Sequence, residues 1–106
     1  MGLIIKQPIT TDTGETITTG VYGRIEPHLN AEGTIIFSRA DWFRSKSDFE
    51  AGKKQIKNSL KTGFKTEYNR TTDGNDLLSL ALTDIKVQIL VNQSWVSADI
   101  EIETLP

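Results

Sequence analysis

Two hydrophobic periodicities divide this sequence, and together they limit it to a fold that combines strands with one helix. Most of the chain alternates apolar and polar residues, which is typical of β-strands with one buried face. Residues Asp76–Val91 instead carry apolar side chains at helical spacing. The 106 residues are close to the commonest size of a single domain. We therefore expect one α+β, mainly β domain that spans residues 1–106.

The alternating segments predict an antiparallel β-sandwich of about five to seven short strands. The predicted strands are Leu3–Ile9, Ile17–Glu26, Thr34–Phe43 and Trp95–Glu103, with a further strand or hairpin over Ile56–Tyr68. The segment Pro27–Gly33 is predicted to be a loop, and Val96, Ala98, Ile100 and Ile102 are expected to point inward. Ile36 and Trp42 lie opposite Ile35 and Phe43, so the third strand is apolar on both faces, as expected inside a sandwich or at a subunit contact.

The C-terminal helix is predicted from a continuous core stripe of apolar residues, namely Leu77, Leu78, Ala81, Leu82, Ile85 and Ile89. Asp73 or Asn75 is expected to cap it. A second stripe consists of Leu80, Val87 and Val91, and because a sheet covers only one side of a helix, this stripe predicts another contact surface. A strand from Ile85 to Val91 is the competing interpretation, because these residues also alternate. Ser47 and Glu50 have the spacing of a capping box and predict one short helical turn before Gly52.

The sequence predicts no catalytic, cofactor or metal site. It contains one histidine, His28, and no cysteine. A lone histidine in a predicted loop lacks the orienting partner of a general base and the companions of a zinc ligand. The residues from Asp73 begin like a calcium loop, but Asp84 stands where the closing glutamate is needed. Asp99, Glu101 and Glu103 alternate with apolar residues, which is typical of the solvated face of a strand.

A basic stretch precedes the predicted helix, and it consists of Lys53, Lys54, Lys57, Lys61, Lys65 and Arg70. No aromatic residues interleave with it as a stacking platform for bases would require, and the net charge is −2, so nucleic acid is not expected as a partner. The acidic C-terminal strand carries the opposite sign, and this complementarity can act within one subunit or between neighbours. No apolar run approaches the roughly 20 residues that span a bilayer, so no membrane partner is expected.

Several segments in order carry a family resemblance. The opening ITTDTG is followed by Thr19–Glu26 (TGVYGRIE), Trp42–Lys46 (WFRSK), Phe64 with Tyr68, and Asp76-Leu77-Leu78 with Ala81 and Lys86. This order resembles small structural proteins from the tail modules of tailed bacteriophages, notably crAss-like phages and their relatives. The resemblance spans nearly the whole chain and implies a non-enzymatic protein that assembles in several copies around the tail axis.

The expected function is therefore a virion structural subunit of the tail, baseplate or head–tail joint, made in the host cytoplasm. Its expected partners are copies of itself and other virion proteins, with no small-molecule substrate. The residues predicted to form the assembly interface are Trp42, Leu80, Val87, Val91, Lys57 and Lys61. The alternative is a monomeric carbohydrate- or ligand-binding β-module, in which Trp42 and Tyr22 line a groove. A small enzyme is the third possibility, and it lacks a nucleophile–base pair.

Overall fold

The computed structural model describes residues 2–18, 20–58, 60–69 and 76–103, and within these ranges strands outnumber helices. In chain order the elements are β1 (Gly2–Ile5), β2 (Ile9–Thr10), β3 (Thr16–Ile17), β4 (Val21–Leu29), β5 (Ile35–Phe43), α1 (Lys46–Glu50), β6 (Gly63–Glu67), α2 (Leu77–Gln93), a 3-10 helix (Ser97–Asp99) and β7 (Ile100–Ile102). The predicted α+β, mainly β class with one C-terminal helix is confirmed.

Five strands form a curled antiparallel sheet in the order β6-β5-β4-β1-β7, so β6 and β7 are its edges. Strands β4 and β5 are its long centre and pair from Tyr22 opposite Phe43 to Leu29 opposite Ile36. The second sheet is the two-stranded β2–β3 hairpin. The Asp12 N–H donates to the Lys57 carbonyl at 2.8 Å, which ties the hairpin to the segment before β6.

Helix α2 lies against one face of the large sheet, which we call the inner face, and contacts all five of its strands. The buried side chains Ile25, Ile36 and Trp42 belong to the same core cluster as those of the helix. The helix supplies the buried side chains Ala81, Leu82, Ile85 and Ile89. The predicted core stripe is therefore confirmed, because a helical repeat of 3.6 residues keeps these positions on one side.

Both helix starts differ in detail from the prediction. Helix α1 is capped by Ser45, whose Oγ accepts a hydrogen bond from the Asp48 N–H at 3.1 Å, and not by Ser47. Helix α2 is capped by Asp76, whose carboxylate accepts from the Ser79 N–H at 3.0 Å. The proposed caps Asp73 and Asn75 lie outside the described residues.

Helix α2 also continues further than predicted. It runs through Gln93 and ends at Ser94, which adopts the left-handed conformation with φ 59°. The strand interpretation of Ile85–Val91 is therefore wrong. Alternation of β-branched residues did not decide the structure, because the longer helical stripe, with Ala81, Leu82, Ile85 and Ile89 buried, includes part of the alternating segment.

Several strand boundaries move because local hydrogen bonds set them. Pro27 and His28 belong to β4 instead of a loop, since the turn is formed by Asn30, whose Oδ1 accepts from the Thr34 N–H at 2.9 Å. The last strand is shorter than predicted, since the Asp99 carboxylate accepts from the Val96 N–H at 2.9 Å and closes the 3-10 turn. Val96 and Ala98 are consequently exposed rather than inward.

The two N-terminal strands predicted as continuous are each divided between the sheets. Leu3–Ile9 divides into β1 and β2, and Ile17–Glu26 divides into β3 and β4. The second break contains Gly20, which has φ 92° and whose Cα would place a Cβ 2.2 Å from the Ile5 carbonyl oxygen. Only glycine fits that backbone conformation and that close approach.

Candidate assembly surface

An apolar groove lies between the C-terminal half of α2 and the segment that leads into β6. Its volume is about 360 Å³. The lining residues are Leu60, Lys61, Phe64, Val87, Gln88, Ile89, Val91, Asn92 and Gln93. The groove forms because Leu60 and Phe64 turn inward against the core while α2 passes beside them. We call this feature the α2 groove.

Two valines of α2 are the exposed apolar side chains at this groove. Val87 is 52% exposed and Val91 is 75% exposed, although both stand on a helix whose other side is buried. They are one helical turn apart and therefore lie on the same side of α2. A folded monomer gains nothing from this exposure, so the pair is a candidate contact with another surface.

The structure brings only part of the predicted interface together. Lys61, Val87 and Val91 line the α2 groove. Leu80 is partly buried and packs against the core, so it does not belong to an exposed second stripe. Lys57 is exposed but lines a different depression with Phe43, Phe49 and Ile56 among others. The prediction is corrected for these two positions, because Leu80 is partly buried against the core cluster although it shares a helix side with Val87, and Lys57 lines a separate depression.

Trp42 is the clearest correction. It is 2% exposed, and its ring fills the inner face of the sheet against Gly23 of the neighbouring strand. Its Nε1 donates to the Lys61 carbonyl at 3.1 Å, which satisfies its polar atom inside the core. Tyr22 is also 2% exposed. Neither aromatic is therefore available to an interface or to a ligand groove.

The free side of β6 adjoins the α2 groove. A second depression of about 420 Å³ is lined by Phe37, Ser38, Lys61, Gly63, Phe64, Lys65 and Gln88, and so shares three residues with the groove. Phe37 is 43% exposed here, and the Lys65 ammonium lies 5.6 Å from the centre of its ring. Among the described lining residues of both depressions, lysine is the only charged type. We call the groove, this depression and the strand between them the edge surface.

A series of side-chain hydrogen bonds connects β6 to α2 at this edge. The Thr66 hydroxyl donates to the Asp84 carboxylate at 2.8 Å, and the same carboxylate oxygen accepts from Gln88 Nε2 at 2.6 Å. Gln88 Nε2 also donates to the Lys65 carbonyl at 3.0 Å. Sequence reasoning missed Gln88 and Phe37. The only signal for Gln88 was its position between the core stripe and Val87, where a polar residue reaches the neighbouring strand.

A cluster of titratable groups lies on the opposite, outer face of the sheet, under α1. Tyr22 donates its hydroxyl proton to Glu103 at 2.9 Å, and the Lys46 ammonium pairs with the same carboxylate. Burial and the bond to Glu103 raise the pKa of Tyr22 above its ordinary range. Burial opposes ionisation of Glu103, but hydrogen bonds from Lys46 and Tyr22 outweigh it and lower the pKa of that carboxyl. This arrangement holds α1 on the sheet.

Two further polar features, an ion pair and the single histidine, lie outside the edge surface. Glu15, just before β3, and Arg44, just after β5, form a two-pronged ion pair, and the hydrogen bonds from Arg44 lower the pKa of Glu15. His28 is exposed on β4, opposite Phe37. Across the described ranges, no group of three or more His, Cys, Asp or Glu side chains is placed to hold a metal ion.

Comparison with known proteins finds no matching family model, no similar curated protein and no similar solved structure. Over the described residues, no helix has both the length and the apolar character needed to cross a membrane.

Proposed function

We propose that this protein is a non-enzymatic structural subunit that assembles in several copies, in the tail, baseplate or head–tail joint of a tailed bacteriophage. Its partners are copies of itself and other virion proteins. Its mechanism is geometric, because docking buries apolar surface that the small domain leaves open and thereby stabilises it.

The observation that carries this proposal is the exposure of Val87 and Val91 beside the α2 groove. Two branched apolar side chains, more than half exposed, stand next to apolar residues that already line a concave surface. Docking of a complementary surface would remove them from water at about 25 cal/mol per Å² of buried apolar area. The lysines that line the edge surface favour an acidic partner surface.

The placement in a virion is supported by the sequence resemblance to tail-module proteins. The competing ligand-binding module is disfavoured by burial, because it needed Trp42 and Tyr22 on the surface and both are 2% exposed. A glycan array probed with the purified monomer distinguishes the two functions, since the structural subunit is expected to bind no glycan there.

The substitution Val87→Lys tests the proposed function most simply. The side chain is 52% exposed, so the variant is expected to fold normally, while a charge in the α2 groove is expected to abolish assembly. Circular dichroism measures folding, and light scattering measures the mass of the assembled species. The matched control is Thr83→Lys, which adds the same charge one turn earlier on α2 at an exposed position outside the groove.

Two results would contradict the proposal. Unfolding of the Val87→Lys monomer would show that the valine stabilises the domain and is not a contact residue. Normal folding with undiminished assembly would show that the α2 groove is not part of the contact.

A further inference from the structure

The two edge strands of the large sheet, β6 and β7, run in the same chain direction. Strands β6 and β7 are separated by four successive antiparallel pairings, through β5, β4 and β1. A second copy that continues the sheet beyond β6, with the same face outward, would therefore place its own β7 parallel to β6.

At the β6 edge, Lys65 presents its backbone to the outside. The Tyr68 N–H donates to the Thr34 carbonyl at 2.8 Å, and the Ala40 N–H donates to the Thr62 carbonyl at 2.9 Å. With this register the even-numbered residues of β6 face β5, and the N–H and C=O of Lys65 point away from it. Gln88 Nε2 caps that carbonyl in the monomer.

At the β7 edge, the residues whose backbone groups point away from β1 are Ile100 and Ile102. The Lys6 N–H donates to the Asp99 carbonyl at 2.7 Å, and the Glu103 N–H donates to the Gly2 carbonyl at 2.9 Å. The odd-numbered residues of this strand therefore face β1. The Ile100 N–H is used internally by the Ser97 carbonyl, which leaves the Ile100 C=O and the Ile102 N–H directed outward.

These groups match the pattern of a parallel ladder. In such a ladder, one residue bonds to the two neighbours of the residue that lies opposite it. The Lys65 N–H would donate to the Ile100 carbonyl of a second copy, and the Ile102 N–H of that copy would donate to the Lys65 carbonyl. The hydrogen bond that Gln88 Nε2 donates to the Lys65 carbonyl in the monomer would be replaced by the bond from the Ile102 N–H of the second copy.

The same register brings opposite charges together. Lys65 on β6 lies opposite Phe37 on β5. Glu101 on β7 lies opposite Ile4 on β1, and Ile4 lies opposite Tyr22 on β4. Phe37 and Tyr22 lie on the outer face, so the side chains of Lys65 and Glu101 project from that face at opposite edges. The Glu101 side chain is 56% exposed, and its pair with Lys6 at 3.3 Å is of the weak surface type.

We propose that the β7 edge of a second copy docks in parallel on the β6 edge of the first, with Glu101 of that copy opposite Lys65. This inference rests on the proposed function, because it names the occupant of the edge surface. Two different surfaces meet in this contact, so each copy keeps one free edge and the assembly is a ring or a filament. Of the neighbouring positions, Glu67 would face Glu103, whose charge is compensated by Lys46.

Charge reversal tests this pairing in purified protein at low salt, by sedimentation velocity. Lys65→Glu alone and Glu101→Lys alone are each expected to weaken association on the order of tenfold, because like charges then oppose each other. An equimolar mixture of the two variants is expected to regain the wild-type association, since every contact between unlike variants again joins opposite charges. Lys54→Glu is the control, at an exposed lysine that lines the depression beside Phe43 and Phe49 and not the edge surface. Lys65→Pro removes the outward N–H at an edge that tolerates proline, and is expected to weaken association without unfolding.

The outcomes separate this inference from the proposed function. If the wild type assembles and the single reversals do not weaken it, or the mixture regains nothing, the edge pairing is overturned while a self-assembling subunit stands. If Glu101→Lys fails to fold, Lys65→Pro decides, and undiminished assembly overturns the pairing. If the wild type remains monomeric throughout, both are overturned.

Discussion

At the scale of single residues, the packing of Trp42 against Gly23 determines which face of β5 is the core. These residues lie opposite each other on β5 and β4, and a Cβ at Gly23 would stand 2.3 Å from Cζ3 of the indole ring. The glycine therefore makes room for the ring, whose Nε1 hydrogen bond then fixes its orientation.

Replacing this glycine is expected to be costly. Gly23→Ala forces the ring or the strand to move and is expected to reduce the free energy of unfolding by about 1–3 kcal/mol. Gly63→Ala is the matched control, because no heavy atom lies within 4 Å of a Cβ built there. Denaturant unfolding measures both variants. Equal midpoints for the two would contradict the packing described for Trp42.

Sequence reasoning could not assign Trp42 correctly, because β5 carries apolar residues on both faces. The two faces differ only in what covers them, α2 on one side and α1 on part of the other, and this depends on the register with β4. Exposure of Phe37 follows from the same fact, since α1 covers Phe43 and stops short of Phe37. Which element packs over a side chain depends on tertiary structure, and the periodicity of a strand does not reveal it.

At the scale of elements, the short helix α1 is held to the outer face by aromatic and ionic contacts. Phe49 stacks on Tyr22 with ring centres 5.5 Å apart, and Lys46 pairs with Glu103. Five residues form too short a helix to be stable alone, so these contacts determine whether α1 forms.

The Tyr22 contact predicts a loss of stability in alkali. Its pKa is raised in the folded protein, so the neutral phenol is favoured there and the stabilisation is complete below the ordinary pKa of 10.0. It is lost progressively as the pH rises above that value. We expect the denaturant midpoint of the wild type to fall between about pH 10 and 11, and that of Tyr22→Phe to fall less. Tyr68→Phe, which leaves Tyr22 in place, is the control, and an equal fall in all three proteins would refute the contact.

Elements were predicted best where one periodicity acts over many residues. The stripe from Leu78 to Ile89 placed α2 correctly because three turns share one buried face. Strand ends were predicted poorly because single side chains set them, as Asn30 does after β4 and Asp99 does before β7. The candidate surface was predicted in part, since Val87 and Val91 follow from helical spacing, whereas their juxtaposition with Lys61 depends on how the segment before β6 packs.

At the scale of the whole molecule, the sheet leaves two edges, and the α2 groove runs along one of them. Natural sheets usually cover or charge an open edge to prevent uncontrolled pairing. Here β6 is capped at Lys65 by Gln88 and flanked by the exposed side chains of Phe37, Val87 and Val91. Such an edge is suited to one specific neighbour, which is what an assembling subunit requires.

The central claim is that this chain assembles in several copies through the edge surface, and native mass spectrometry of the wild-type protein tests it most directly. Spectra recorded over a range of protein concentrations from about 1 to 100 μM span the affinities of weak and moderate protein contacts. We expect species containing several copies to grow with concentration at the expense of the monomer, and a ring would end at one defined stoichiometry. A spectrum that shows only the monomer at every concentration would contradict the account.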